Sequence, residues 1–257
     1  MRIVITADDF GFSDDTVDAT VDCFTAGAIT GASIMANMPA TGRAIDYAKA
    51  HPEFSYGVHL TLVGDGIERP VTPPDTLPGL VDAQGNFAGG RTVRIGAVLR
   101  RLPRAGVEAE IRAQIGRILD AGVPVAYVDS HKHMHKIGLF RSALARVLDE
   151  FGITRVRSVQ DVYLHRPWTS ATFWLGPLWR RQLRRRFRTT ERFYMSTTTE
   201  DTSWGEDLLQ HVAADTLEVG GHPGHDEPWR AQEKADLMAF APLARARGHD
   251  LVGWRDI

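Results

Sequence analysis

Val125-Ala126-Tyr127-Val128-Asp129-Ser130-His131-Lys132-His133-Met134-His135 is the stretch whose reading decides the fold. Gly122 and Pro124 stand just ahead of it, where a helix ends and a strand begins. Residues 125–128 have strand composition, and Asp129 and three alternating histidines follow. On extended backbone alternate side chains share a face, so the spacing predicts that His131, His133 and His135 point into one space. Imidazole is a ligand for zinc and related divalent ions, and a nearby carboxylate can ligate the metal or orient a histidine. The plainer alternative is a polar loop that happens to carry histidines. Three of the ten histidines fall within five residues, which favours a metal centre.

Outward from this stretch, strand-like and helix-like segments alternate. Strands are predicted at 2–7, 29–36, 54–62, 125–128, 153–158, 193–198, 217–220 and 251–254. Helices are predicted from the Ser13 cap to Gly27, then at 41–50, 107–121 and 138–151. Further helices run from a capping box at Ser203-Trp204-Gly205-Glu206 to Ala214, and over 230–247, where Pro242 breaks or kinks the last one. Seven or eight β-then-α units in 257 residues predict an α/β fold, a distorted (β/α)7-8 TIM-like barrel in a single domain spanning 1–257. Two insertions interrupt it, one at about 63–90, rich in Pro, Gly and Asp, and an irregular basic and aromatic one at about 160–192. The first strand lacks the glycine fingerprint of a dinucleotide site.

Composition excludes several classes. The chain is 43% hydrophobic with a net charge of −2, so there is core-forming material and no global bias toward nucleic acid. Cys23 is the only cysteine, which rules out an internal disulfide and suits a reducing compartment. Residues 3–7 are too short for a signal-peptide core and no apolar run reaches membrane-spanning length, so a cytoplasmic protein is expected.

The residues able to do chemistry sit at the C-terminal ends of predicted strands. Asp8 and Asp9 follow the first, His59 ends the third, Asp129 and His131 follow the fourth, and His222 follows the seventh. That end of a β/α barrel is where active sites are built. Each has a plain alternative: Asp8-Asp9-Phe10-Gly11 as a turn, His59 as a hydrogen-bonded core residue, His222-Pro223-Gly224 as a tight turn. Together, two histidines and one carboxylate make an open zinc set, and a spare aspartate and histidine supply proton-transfer groups.

The motifs Thr6-Ala7-Asp8-Asp9-Phe10-Gly11, Gly57-Val58-His59-Leu60, Val128-Asp129-Ser130-His131-Lys132-His133-Met134-His135 and His222-Pro223-Gly224-His225 resemble, in order, those of the YdjC-like (ChbG-like) carbohydrate deacetylase family. Residues 80–87 and 107–114 are similar to its hopanoid-biosynthesis-associated, HpnK-like branch, although that branch often has Asn-Ala-His in place of Asp129-Ser130-His131. The resemblance implies a distorted barrel and one divalent metal ion held by Asp9, His59 and His131; two histidines favour zinc over magnesium, which some relatives bind. It implies Asp8 as general base and His222 as acid in removing an N-acetyl group from an amino sugar, an N-acetylglucosamine-type oligosaccharide or glycolipid, with release of acetate. Asp129, His133, His135 and His225 are expected to support the ligands or touch substrate. The alternatives are a metal-dependent phosphoesterase, with His133 and His135 serving a second metal, and a non-catalytic sugar- or metal-binding protein. Within 168–192, Trp179, Leu183 and Phe187 share one helical face and Arg181, Arg184, Arg185 and Arg188 the other. The plain reading is an outer barrel helix; the sharper one is a peripheral membrane contact on the inner face of the membrane. A homo-oligomer is left open.

Overall fold

The protein is described by a computed structural model covering residues 1–164, 167–195 and 204–257. Strands β1 (Arg2–Phe10), β2 (Gly31–Ile34), β3 (Ser55–Leu60), β4 (Val125–Ser130), β5 (Arg192–Met195) and β6 (Thr216–Gly221) form one parallel sheet in the order β4-β3-β2-β1-β6-β5. The short β7 (Asp250–Leu251) pairs with the first residues of β1. Around the sheet lie α1 (Asp14–Thr25), α2 (Thr41–Ala50), α3 (Gly90–Val98), α4 (Arg104–Asp120), α5 (Gly138–Phe151), α6 (Ala171–Arg184), α7 (Trp204–His211) and α8 (Pro228–Ala246). Between β4 and β5 the sheet is bridged by isolated parallel pairings, Val128 with Val156 and Arg155 with Arg188. The result is a curled, distorted β/α barrel. No helix among the described residues is long and apolar enough to cross a membrane.

Alternation along the strands sorts the core into layers. On β1, Ile3, Ile5 and Ala7 pack outward into the main core shared with the helices. Val4 joins a second cluster with Tyr127, Trp254 and Ile257, and the Tyr127 and Trp254 rings stack 4.6 Å apart. Gly57 makes room for this plug, since a Cβ there would stand 2.5 Å from the Tyr127 ring. Above the plug, toward the strand C-termini, Thr6, Arg157 and Glu218 form a buried polar layer. The candidate site lies above that.

Several boundaries differ from expectation. Residues 153–158 form only isolated bridges, and Arg157 among them turns its side chain inward to a charged cluster. The helix expected within 168–192 is α6, which carries Pro177 inside it and ends at Arg184, while Leu183 and Phe187 are buried as expected. Helix α8 runs on through Pro242, and α3 forms where none was predicted. Within 63–90, Leu77, Leu80 and Phe87 are buried and Glu110 accepts the Val71 and Thr72 N–H groups, so the insertion is tied to the core. Ser203 of the predicted capping box and residues 196–198 of the predicted sixth strand lie outside the described residues.

The largest departure is in the opening stretch. The strand stops at Ser130, and His131–Lys136 wind into a tight 3-10 segment with Lys132 (φ 51°) and His133 (φ 52°) left-handed. The three histidines therefore do not share an extended face.

Candidate active site

Neighbouring aspartates on a regular strand would point to opposite faces. Here the β1–β2 register shifts between Ala7 and Phe10, and Asp9 adopts φ +58°, which Asp tolerates better than most residues. The backbone is held in that turn because the Asp9 carbonyl accepts from the Phe12 N–H at 3.0 Å and the Thr16 hydroxyl at 3.2 Å. Both carboxylates reach the same cluster of histidines and arginines.

Asp9 Oδ1 lies 3.4 Å from His59 Nε2 and 3.2 Å from His131 Nδ1, and its Oδ2 accepts from Arg230 Nη2 at 2.8 Å. His59 is held from behind: its Nδ1 lies 2.8 Å from Asp129 Oδ1 and 3.1 Å from Ser33 Oγ. An Nδ1–H donated to Asp129 leaves the Nε2 lone pair facing Asp9. Nε2 of His59 and of His131 are buried with no hydrogen-bond partner among the described residues. Asp9, His59 and His131 each offer a ligand atom, all within 4.8 Å of one another.

Two other groupings fit a cation less well. Asp8, His59 and Asp129 also converge, but an oxygen of each carboxylate is already engaged by Arg157. Asp65, Glu68 and His131 converge at the rim, where Asp65 pairs with Lys132 and Glu68 accepts the N–H groups of Asp65 and Ile67. Every grouping among the described residues uses His59 or His131, and none includes His133 or His135, so they offer no independent second metal centre.

Arg157 is the residue that sequence reasoning missed. Wholly buried, it holds Asp8 through two hydrogen bonds of 2.6 and 2.7 Å, Asp129 at 2.7 Å and Glu218 at 2.8 Å. Burial raises the Asp8 carboxyl, but Arg157 and the nearby histidines outweigh it and bring it below its ordinary value. Burial, with the Asp129 and Asp8 carboxylates nearby, outweighs Arg157 and pushes Glu218 up to about 7. A second arginine, alternating with Arg155 in the strand-like run Ile153-Thr154-Arg155-Val156-Arg157-Ser158, was the available signal.

His222 stands on the other side of Asp8, its Nε2 3.9 Å from Asp8 Oδ2. Glu233 of α8, also missed, accepts from the His222 backbone N–H at 2.7 Å and lies 3.0 Å from Nδ1. Burial disfavours the imidazolium, yet Glu233 and the aspartates more than offset it, and His222 is pushed up to about 9. Arg230, one turn earlier on α8, packs over the Trp229 and Phe12 rings.

The remaining histidines divide. His135 is buried, with Nδ1 2.7 Å from Ser130 Oγ, and burial lowers it to about 3. His133 meets the Phe193 ring edge-on and is held well below its ordinary value, again mainly by burial. His225 is not brought to the cluster. It is exposed, its N–H donates to Asp15, and its Nε2 lies 3.4 Å from Asp22.

A curled parallel β/α sheet with an open two-histidine, one-carboxylate cluster at its strand C-termini defines a barrel protein with a candidate metal centre. The chain belongs to the YdjC-like protein family, whose model matches residues 2–252. It is similar to a carbohydrate deacetylase of Brevibacillus brevis, 32% identical over 154 residues, or 60% of this chain and 58% of that one. A carbohydrate deacetylase of Geobacillus stearothermophilus is 35% identical over 133 residues, covering 52% of this chain and 50% of the relative. The chain thus spans about half to three-fifths of the length of these curated relatives. Among solved structures, a protein of Enterococcus faecalis carrying the provisional description of a cellobiose-phosphate cleavage protein superposes with a TM-score of 0.77. It is 19% identical and covers 99% of this chain and 98% of its own, a likeness that bears on the fold.

Proposed function

We propose that this protein is a carbohydrate N-deacetylase that removes the acetyl group from an N-acetylated amino sugar by hydrolysis, releasing acetate. One observation carries the reading: Asp9, His59 and His131 converge with unpartnered imidazole nitrogens, and Asp8 and His222 flank them. The names of the curated relatives support it.

Asp9, His59 and His131 would hold one divalent ion, and two imidazoles favour zinc over magnesium. When bound, such an ion supplies Lewis acidity to the acetyl carbonyl and acidifies a water. Asp8 takes the proton of the attacking water, and Arg157 keeps it ionised and aimed while moderating its basicity. His222, protonated near neutral pH and anchored by Glu233, donates to the departing amine nitrogen. Asp129 fixes the tautomer of His59. A phosphoesterase would call for a second metal and a free cationic clamp, and Arg157 is already engaged by three carboxylates. The setting is the cytoplasm, with a peripheral contact to the inner face of a membrane through the exposed side chains of 168–178.

The test is a mass-spectrometric screen for acetyl loss from N-acetylglucosamine oligomers with zinc-loaded protein. Asp8→Asn should keep metal and lose nearly all turnover, whereas Asp9→Asn, His59→Ala and His131→Ala should lose metal as well. A metal-free Asp8→Asn beside a metal-replete Asp9→Asn would reverse the two roles, and no acetyl release from any oligomer would count against the activity.

A further inference from the structure

Two helices flank the turn that carries His131. From α3, Arg94 donates to the Lys132 carbonyl at 3.4 Å. From α6, the Thr172 hydroxyl accepts from Lys136 at 2.8 Å, and Lys136 lies over the Trp179 ring. The turn follows directly on β4, so both helices border the mouth of the site.

Each presents apolar side chains to solvent. Ile95, Val98 and Leu99 are 48–73% exposed on and just after α3. Trp168, Trp174, Leu175 and Leu178 are 45–60% exposed before and on α6. Two such clusters beside one opening mark an interaction surface. Arginines accompany both: Arg91 lies one turn before Ile95, Arg100 and Arg101 follow Leu99, and Arg181 lies one turn after Leu178. These four make no ion pair among the described residues, whereas Arg180 and Arg186 are tied to Asp161 and Asp149. Residues 91–104 hold five arginines and no acidic residue, and 171–192 hold seven against one glutamate, in a chain whose net charge is −2.

The charge chooses among occupants. A second copy docked symmetrically would set these arginines against themselves, with almost no acidic residue on either helix to answer them. A nucleic acid would meet the arginines and stack on Trp168 or Trp174, but would leave Ile95, Val98, Leu99 and Leu178 unmatched. An anionic bilayer satisfies both halves, with headgroups on the arginines and the aromatic and aliphatic side chains in the interface.

We infer that α3 and α6 together form an interfacial face that seats the mouth of the site on an anionic membrane, so that the N-acetyl sugar is taken as the head group of a lipid. The substrate half rests on the deacetylase reading; the surface half does not. Co-sedimentation of the full chain with vesicles of equal parts phosphatidylglycerol and phosphatidylcholine should show binding at low salt. Binding should weaken about tenfold or more in high salt or with phosphatidylcholine alone. Val98→Ser with Trp174→Ser should weaken it about tenfold even at low salt. The same double variant should retain acetyl release from soluble oligomers and lose it from an N-acetylglucosaminyl lipid in vesicles.

Absence of binding to the anionic vesicles at low salt overturns the inference. So does binding that the double serine variant leaves intact but Arg100→Gln with Arg101→Gln abolishes, which would mark a simple polyanion site. Concentration-dependent self-association removed by the serine substitutions would assign the face to a second copy. Vesicle binding without acetyl release from either soluble or lipid-linked sugar would leave the surface in place and remove the deacetylase reading.

Discussion

Glu233→Gln isolates the electrostatics of the proposed general acid. Glu233 Oε2 receives the His222 backbone N–H and lies against Nδ1, and a glutamine oxygen can accept in the same place without the charge. The substitution thus keeps the imidazole oriented and removes the carboxylate that does most to favour its protonated form. His222 is pushed up from 6.5 to about 9 in the intact protein. Near pH 8 such a group is roughly 90% protonated, whereas at 6.5 it would be about 3% protonated. Activity that requires the imidazolium should therefore fall by up to about 30-fold near pH 8, and by no more than about twofold near pH 6. A divalent ion beside Asp9 lowers the alkaline limb of both proteins and leaves the direction of the difference unchanged. The assay is kcat/KM for an N-acetylglucosamine oligomer across that range. An alkaline limb that stays in place, or an equal loss at every pH, would show that His222 is not the acid governed by Glu233.

Arg157→Met should destabilise the fold by about 3–5 kcal/mol, because it strands three buried carboxylates; a urea midpoint matching the parent protein would contradict the charge network. Gly57→Ala should cost about 1–3 kcal/mol, since the added methyl collides with the Tyr127 ring; thermal unfolding measures it. For metal-free protein, stability should fall on both sides of a mildly acidic optimum. Asp8 and Asp9 are lowered in the folded state, so their contribution is present above about 3.8 and lost as pH falls through the folded values. His222 is raised, so its contribution is complete below about 6.5 and lost as pH rises through about 9, a loss of about 3 kcal/mol. Urea midpoints across pH report both limbs, and a flat alkaline side would remove the His222 part.

The β/α alternation was legible because β1, β3, β4 and β6 are short runs buried almost throughout, set between segments of helical spacing. The sequence also placed Asp8, Asp9, His59, His131 and His222 at strand ends, and the fold gathers them. Where it misled, local rules yielded to tertiary contacts. The three histidines looked extended because alternation was the only pattern available; a tight turn with two left-handed residues leaves no glycine to announce it. Residues 153–158 read as a strand, yet Arg157 serves Asp8, more than a hundred residues upstream. Arg230 and Glu233 looked like ordinary polar positions of an amphipathic helix, and only the packing of α8 beside α1 and β6 gives them Asp9 and His222 as partners. Helix α3 was invisible because its apolar residues face solvent as well as core, which blurs its periodicity.

The polar layer above the Tyr127–Trp254 plug has one more consequence. Asp8, Asp9, Asp129 and Glu218 bring four carboxylates into a space that Arg157 and Arg230 only half neutralise. Without an ion, protons make up the difference, and both His59 and His222 are raised above their ordinary values while Glu218 sits near 7. An incoming dication therefore replaces protons as well as water. Ion uptake should acidify a weakly buffered solution, and apparent affinity should tighten as pH rises toward the point where His59 has surrendered its proton. By the same exchange, the ion becomes part of what holds the barrel's mouth together, and the unfolding temperature should climb with its free concentration.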